Sequence, residues 1–203
     1  MNIAIIGTGN VGGALATNWS KKGHNIHLGV RDVNQFKGMD LLKNDHTKAL
    51  SIKEAIAQSE VVLISTPPTA IFEIIEQIGD VSGKVIIDAT NSVRQAPDPY
   101  KTVYHCLADQ TKAEVVKSFN STGFENMLNP IYNGEGIDMF MAGDSDTAKK
   151  VAAQLALDAG FGSCMDFGKS DKVELLEKLA LSWINLAIMQ GHGRNIAFKV
   201  VKR

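Results

Sequence analysis

Ile3-Ala-Ile-Ile6 runs directly into Gly7-Thr-Gly-Asn-Val-Gly12, and an amphipathic segment from Ala14 to Lys21 follows. An apolar strand, a glycine-rich turn and a helix in that order form the context in which G-x-G-x-x-G binds a dinucleotide. Gly7 permits the tight strand-to-helix turn, Gly9 lets the backbone approach a pyrophosphate, and Gly12 lets the helix pack close to its strand. The anion would then rest on the unpaired N–H groups that begin the helix.

Beyond this unit, strand-like and helix-like runs alternate. Residues 25–30, 61–65, 84–89, 115–119 and 139–142 read as short buried strands. Residues 51–58 and 70–78 have helical spacing, and Ala148, Val151, Ala152, Leu155 and Ala159 mark one face of a further helix that Gly160 closes. Such alternation predicts an α/β fold, a Rossmann-type doubly wound parallel sheet. Ala96-Pro-Asp-Pro99 reads as a loop. The last segment differs, because Val173, Leu176, Leu179, Ala180, Trp183, Ile184, Ala187 and Ile188 cover more than one narrow stripe of a helix. A helix of that kind is expected to bury most of its circumference, in a small second unit or against a partner. Ser170 and Asp171 offer it a capped start, and Gly191-His-Gly193 breaks it. The expected division is therefore a dinucleotide-binding Rossmann domain over residues 1–168 and a C-terminal helical extension over residues 169–203.

The chain of 203 residues carries 21 basic and 22 acidic side chains and is 44% apolar, enough for one substantial core. This near balance gives no footprint for a nucleic acid or a membrane surface, so the expected partner is a small molecule. With a strand starting at Asn2 and no apolar run of about 18 residues, the reading is a cytoplasmic protein. Cys106 and Cys164, the two cysteines, lack metal-ligand or C-x-x-C spacing, so neither a disulfide nor a metal site is expected.

At the tip of the second strand, where NAD enzymes place an acid to accept from the adenine ribose, stands Val30, followed by Arg31. A guanidinium there suits a 2′-phosphate and favours NADP(H). Asp32 would serve as the ribose acceptor, and favour NAD, if the strand ran two residues further.

Taken together, Gly29-Val-Arg31, Ile64-Ser-Thr-Pro-Pro68, Val116 to Asn126, Met139-Phe-Met-Ala-Gly-Asp144 and the closing Gln190 to Phe198 resemble one family over nearly the whole chain. It is similar to the NADP oxidoreductases that use the deazaflavin coenzyme F420, to which the flavin-using NADPH domain of the Steap metalloreductases is related. The resemblance implies that Thr8, Asn10 and Val11 line the phosphates and that Arg31 holds the 2′-phosphate. It places Ser65, Thr66 and Pro67 beside the adenosine and ribose, and Thr90 and Asn91 at the end of the next strand. It also implies a homodimer, with Leu179 and Trp183 in the interface. The chain departs from the family pattern at Val30, where a small hydroxyl residue is common, at Asn120-Ser121, where the F420 enzymes tend to carry His-Thr, and at Gly168-Lys-Ser170, which replaces a Gly-Pro-Leu turn.

Asn120, Ser121 and Thr122 follow a strand, where hydrogen-bonding side chains can orient a nicotinamide or its acceptor. Transfer of a hydride to a flavin-like or deazaflavin ring needs positioning and exclusion of water, whereas a carbonyl or imine also needs a proton donor. None of the five histidines is placed as one in sequence, and Lys178 and Asn185 are too far apart for the Lys-x-x-x-Asn helix of the 3-hydroxyacid dehydrogenases. Met127, Met139 and Met141 read as core. Two function classes stand: an NADPH-dependent reductase of a flavin-like acceptor or F420, with a small imine or carbonyl as the other substrate class, and a non-enzymatic NADP(H) sensor.

Overall fold

A computed structural model describes residues 1–203. Ten strands are formed: β1 (Asn2–Ile6), β2 (Asn25–Val30), β3 (Thr47–Ser51), β4 (Val61–Ile64), β5 (Val85–Asp88), β6 (Glu114–Ser118), β7 (Ile131–Tyr132), β8 (Glu135–Gly136), β9 (Asp138–Ala142) and β10 (Ser163–Asp166). The helices are α1 (Asn10–Lys21), α2 (Ile52–Ala57), α3 (Ile71–Ile78), α4 (Val103–Gln110), α5 (Phe124–Leu128), α6 (Asp146–Asp158) and α7 (Val173–Ile184). Eight strands make one sheet in the order β10-β9-β6-β5-β4-β1-β2-β3, and β7 and β8 form a separate ribbon. The fold is the Rossmann-type α/β arrangement expected, with the strand order reversing between β1 and β4.

One junction is not parallel: β9 runs antiparallel to β6, and β10 then pairs parallel to β9. A parallel return needs a crossover long enough to span the sheet. Between β6 and β9 the chain has only the five-residue α5 and the ribbon, and it comes back in the opposite sense.

Alternation along each buried strand builds a core on both faces. Ile3 and Ile5 of β1 join Leu15, Trp19, Phe119 and Leu155 on one face. Ala4 and Ile6 join Ile56, Ile74 and Leu107 on the other, together with Val173 and Leu176 of α7. The helices start where the sequence supplies caps. Ser51 and Glu54 form a reciprocal capping box on α2, and the Thr102 and Ser145 side chains accept from the third residue of α4 and α6. Gly160, at φ +98°, closes α6 as expected.

The start of the C-terminal helix departs from expectation. Ser170 does not cap it: Ser170–Lys172 form a 3₁₀ turn, Lys172 stands at the N-cap without a side-chain bond, and the Ser170 N–H is held by Asp144. Within the single chain, one face of the helix is buried and the rest is open. Val173, Leu176, Glu177, Ala180 and Trp183 face inward, while Leu175 and Leu181, with Leu186, Ile188 and Met189 of the π-helical turn over Asn185–Met189, remain exposed. Trp183 is covered by its own chain, its indole N–H donating to the Ile196 carbonyl at 2.6 Å. No helix is long and apolar enough to cross a membrane.

Candidate functional site

Gly7 has φ +103°, and a Cβ there would lie 2.6 Å from the Ser65 carbonyl oxygen, so only glycine turns the chain at this point. A Cβ at Gly12 would lie 2.1 Å from the Gly7 oxygen, while at Gly9 it would meet nothing within 4 Å. The turn is thus closed on the protein side and open on the side where a pyrophosphate would approach. Ser65, at the end of β4, locks it: its N–H donates to the Ile6 oxygen and its hydroxyl to the Gly7 oxygen, each at 2.8 Å. The N-terminus of α1 has no side-chain cap and no acid in its first turn. Its positive pole is left for an anion.

A cavity of about 770 Å³ opens at this edge of the sheet. Gly7, Thr8, Gly9, Arg31 and Ser65 to Pro67 all line it. Asn10 lines the adjoining depression with Phe124 and Leu128, while Val11 packs against the core. The sequence reading did not identify Gln35, Phe36 and Lys37, which complete the wall because the loop after β2 folds back onto the turn. The Thr8 hydroxyl donates to the Lys37 carbonyl, and a Cβ at Gly38 would lie 2.6 Å from the Thr8 oxygen. No periodicity marks that segment, and its glycine was the one available signal.

Arg31 and Asp32 part company here. The strand stops at Val30, Asp32 turns its carboxylate back to accept the Asn34 N–H at 2.9 Å, and Arg31 is exposed at the cavity wall. Asp32 Oδ1 therefore shapes the loop, while Asp32 and Arg31 both line the cavity.

The remaining predicted residues lie further along the same carboxyl edge, in the order β2, β1, β4, β5, β6. Four inter-strand spacings of about 4.8 Å place the tips of β2 and β6 about 19 Å apart, the span of an extended dinucleotide. Thr90 and Asn91 follow β5, and Asn120 follows β6. Asn91 donates to the Asn120 carbonyl, and the Asn120 amide donates to the Asn91 side chain, both at 2.9 Å. Thr66 Oγ1, Thr90 Oγ1, Ser92 Oγ and Asn120 Oδ1 are buried without a partner in the protein. Buried polar atoms are ordinarily paired; of these four, Thr66 belongs to the cavity lining, and the others lie after β5 and β6. Phe119, at φ +57°, supplies a bend between β6 and Asn120 that is unusual for a large side chain and is held by edge-on packing on Trp19, 5.6 Å between ring centroids. Ser121 and Thr122 face elsewhere: the Ser121 hydroxyl points to Met139 Sδ at 3.6 Å, and Thr122 Oγ1 accepts from Asn126.

Beneath this end lies a cluster that the sequence reading did not single out. Lys117 of β6 is fully buried, with Nζ 2.9 Å from Asp88 Oδ2, 2.6 Å from Glu177 Oε1 and 2.6 Å from the Thr90 carbonyl oxygen. Burial pushes the Glu177 carboxyl above the ordinary range, and Lys117 opposes that shift. Two charges at the ends of otherwise apolar strands, Val85-Ile-Ile-Asp88 and Val115-Val-Lys117, were the available signal. Burial also pushes the Cys106 thiol up to about 11 and that of Cys164 to about 12, so neither offers a thiolate near neutral pH. No group of three or more His, Cys, Asp or Glu side chains could hold a metal ion.

The glycine turn and Arg31 line one cavity, and Asn120 follows β6 on the same edge of the sheet. The chain resembles the NADP oxidoreductases that are coenzyme F420-dependent. That family's model matches residues 2–92. Along nearly the whole chain, the F420-dependent NADP reductase of Methanothermobacter thermautotrophicus is 26% identical over 221 residues, covering 98% of this chain and 94% of that one. The glycerol-3-phosphate dehydrogenase [NAD(P)+] of Thermoanaerobacter sp. is 33% identical over 100 residues, covering 43% of this chain and 30% of that enzyme. Among solved structures, one from Arthrobacter sp. FB24 assigned as an F420-dependent NADP reductase superposes with a TM-score of 0.86 at 24% identity, each chain covered completely. The reductive aminase of Aspergillus terreus, solved with NADPH and ethyl levulinate, gives 0.69 at 21% identity over 94% of this chain and 62% of that one. At these identities the solved structures share the fold, and the family likeness rests on the sequence matches.

Proposed function

We propose that the protein binds NADPH along the carboxyl edge of its sheet and serves as a reductase of a planar redox ring, a flavin or the deazaflavin F420. The observation that carries this reading is the edge itself: an uncapped helix N-terminus at the glycine turn, Arg31 at one end and the unpaired Thr90 and Asn120 oxygens at the other. When bound, NADPH supplies a hydride, and the acceptor ring takes up that hydride with one proton from water. Gly7 and Gly9 admit the pyrophosphate to the N–H groups of α1, and Arg31 pairs with the 2′-phosphate. Thr90 and Asn120 orient the ring end, and Asn91 fixes Asn120. A planar ring is favoured over a carbonyl because Lys117, Asp88 and Glu177, the ionisable cluster that ties the loop after β5, are buried and bonded to one another and offer no free acid to a substrate.

The test is NADPH oxidation against a panel of flavins, F420, ferric chelates, small imines and small carbonyls. Asn120→Ala is expected to lower turnover by about a hundredfold and NADPH affinity by no more than about tenfold, since misplacing the ring disturbs the reacting geometry most and leaves the adenosine contacts intact. Reduction of imines or carbonyls alone would replace the planar-ring reading. Tight NADPH binding with no acceptor turned over would favour a sensor.

A second copy of the chain is the partner we propose for the exposed Leu175, Leu181, Ile188 and Met189, an apolar group on one terminal helix. Light scattering at micromolar concentration should give twice the chain mass, and Leu181→Lys with Ile188→Lys should return it to the chain mass. A wild-type monomer overturns this.

A further inference from the structure

We infer that the buried Lys117–Asp88–Glu177 cluster holds the loop after β5 in its ligand-binding form, which makes Glu177 of the C-terminal helix a positioning residue for the ring end of the dinucleotide. The inference rests on the proposed NADPH reading. Every bond of the cluster that does not join two of its own members goes to the backbone of that loop. Lys117 donates to the Thr90 carbonyl, Asp88 Oδ1 accepts the Thr90 N–H at 2.9 Å, and Glu177 Oε2 accepts the Ser92 N–H at 2.8 Å. The three protons of Lys117 are thereby used, on Asp88, Glu177 and Thr90, and both oxygens of each carboxylate are engaged. A fully connected network of this kind selects one backbone geometry.

The loop so fixed is the one that carries the orphaned oxygens. Thr90 and Ser92 are held at their backbone groups on either side of Asn91, whose side chain makes the reciprocal pair with Asn120. Thr90 Oγ1, Ser92 Oγ and Asn120 Oδ1 are left unpaired. A cluster whose only task was to anchor α7 would need a bond to the sheet. It would not need bonds to alternate amides of the loop.

Calorimetric titration of the full chain with NADP⁺ and, separately, with adenosine 2′,5′-bisphosphate separates the two roles, because the second ligand lacks the nicotinamide half. Glu177→Gln keeps the shape but exchanges a charged acceptor for an amide that cannot accept at both atoms. It is expected to weaken NADP⁺ about tenfold, the size of a lost hydrogen bond to a charged group, and to leave the bisphosphate within twofold. Asp88→Asn, which alters the acceptor of the Thr90 N–H within the same cluster, is expected to show the same selective loss and decides the matter should Glu177→Gln fail to fold. Equal weakening of both ligands by Glu177→Gln, or no weakening of either, overturns the inference in favour of a structural tie. A wild-type chain that binds neither ligand sinks the NADPH reading itself, and the positioning role with it.

Discussion

Lys117→Met should lower stability in urea by about 3–5 kcal/mol at pH 8, the range found when one member of a buried ion pair is removed and its partner is left behind. Lys117 is completely buried, as is Asp88, and Glu177 is 7% exposed, so the two carboxylates abandoned by the substitution would have no water to turn to. With folding free energies of about 5–15 kcal/mol in general, a loss of this size consumes a large part of the whole. The pH dependence has a definite sign. The Glu177 carboxyl already sits above its ordinary value because of burial, and Lys117 is the group that restrains it. Without Lys117 it rises further. An acid whose folded-state value exceeds the unfolded one contributes most below the unfolded value and loses that contribution as pH climbs through the folded one. The variant's deficit should therefore be smaller near pH 5 than at pH 8. Adding Asp88→Asn and Glu177→Gln, which removes both stranded charges, should recover more than half of the loss at pH 8. A deficit below about 1 kcal/mol that is independent of pH would mean that the cluster carries no buried charge worth compensating.

The sheet was legible in sequence where strands are buried on both faces, because a continuous apolar run such as Val61-Val-Leu-Ile64 admits few other readings. It was not legible at the edges. β3, Thr47–Ser51, is half-exposed and polar, and β10, Ser163–Asp166, has no fully buried residue, so neither carried the apolar signal that marks an inner strand. α4 was missed for a different reason. Val103–Gln110 presents one apolar face of only two turns, and its start is signalled by a single threonine cap following a proline-rich loop. In the C-terminal helix the apolar content exceeds what the chain itself covers, which is the face that carries Leu176, Ala180 and Trp183, and burial against a partner concerns the remainder.

The half proposed for the adenosine was readable because a glycine turn is a local device, in which strand, turn and helix N-terminus are consecutive. The proposed ring half draws on three separated segments, after β5, after β6 and on α7, joined by bonds between residues 27 to 85 positions apart, such as Lys117 to Glu177. Local patterning holds no trace of such a bond. That is also why Ser121 and Thr122, adjacent to Asn120 in sequence, prove to be turned toward Met139 and Asn126. Adjacent residues at a strand end point in different directions, and the bend at Phe119 decides which of them reaches the edge.

Arg31→Ala should collapse the preference between NADPH and NADH. The guanidinium is exposed at the cavity wall directly after β2, and one oxygen of the neighbouring Asp32 carboxylate accepts the Asn34 N–H. A charge-assisted bond from arginine to a phosphate is worth about 1.5–3 kcal/mol, which corresponds to a loss of roughly tenfold to 150-fold in NADPH affinity with NADH little changed. Because the pair is exposed, the wild-type preference should itself shrink as salt is raised from about 0.01 M to 1 M, where screening shortens the reach of surface charge from about 30 to 3 Å. Arg31→Lys should fall between the two, since an ammonium keeps the charge but cannot present two parallel donors to one phosphate. Fluorescence titration of both nucleotides against the wild type and the two variants measures all of this. Equal affinities in the wild-type protein would remove Arg31 from the site and return the role to Asp32, with NAD as the nucleotide bound.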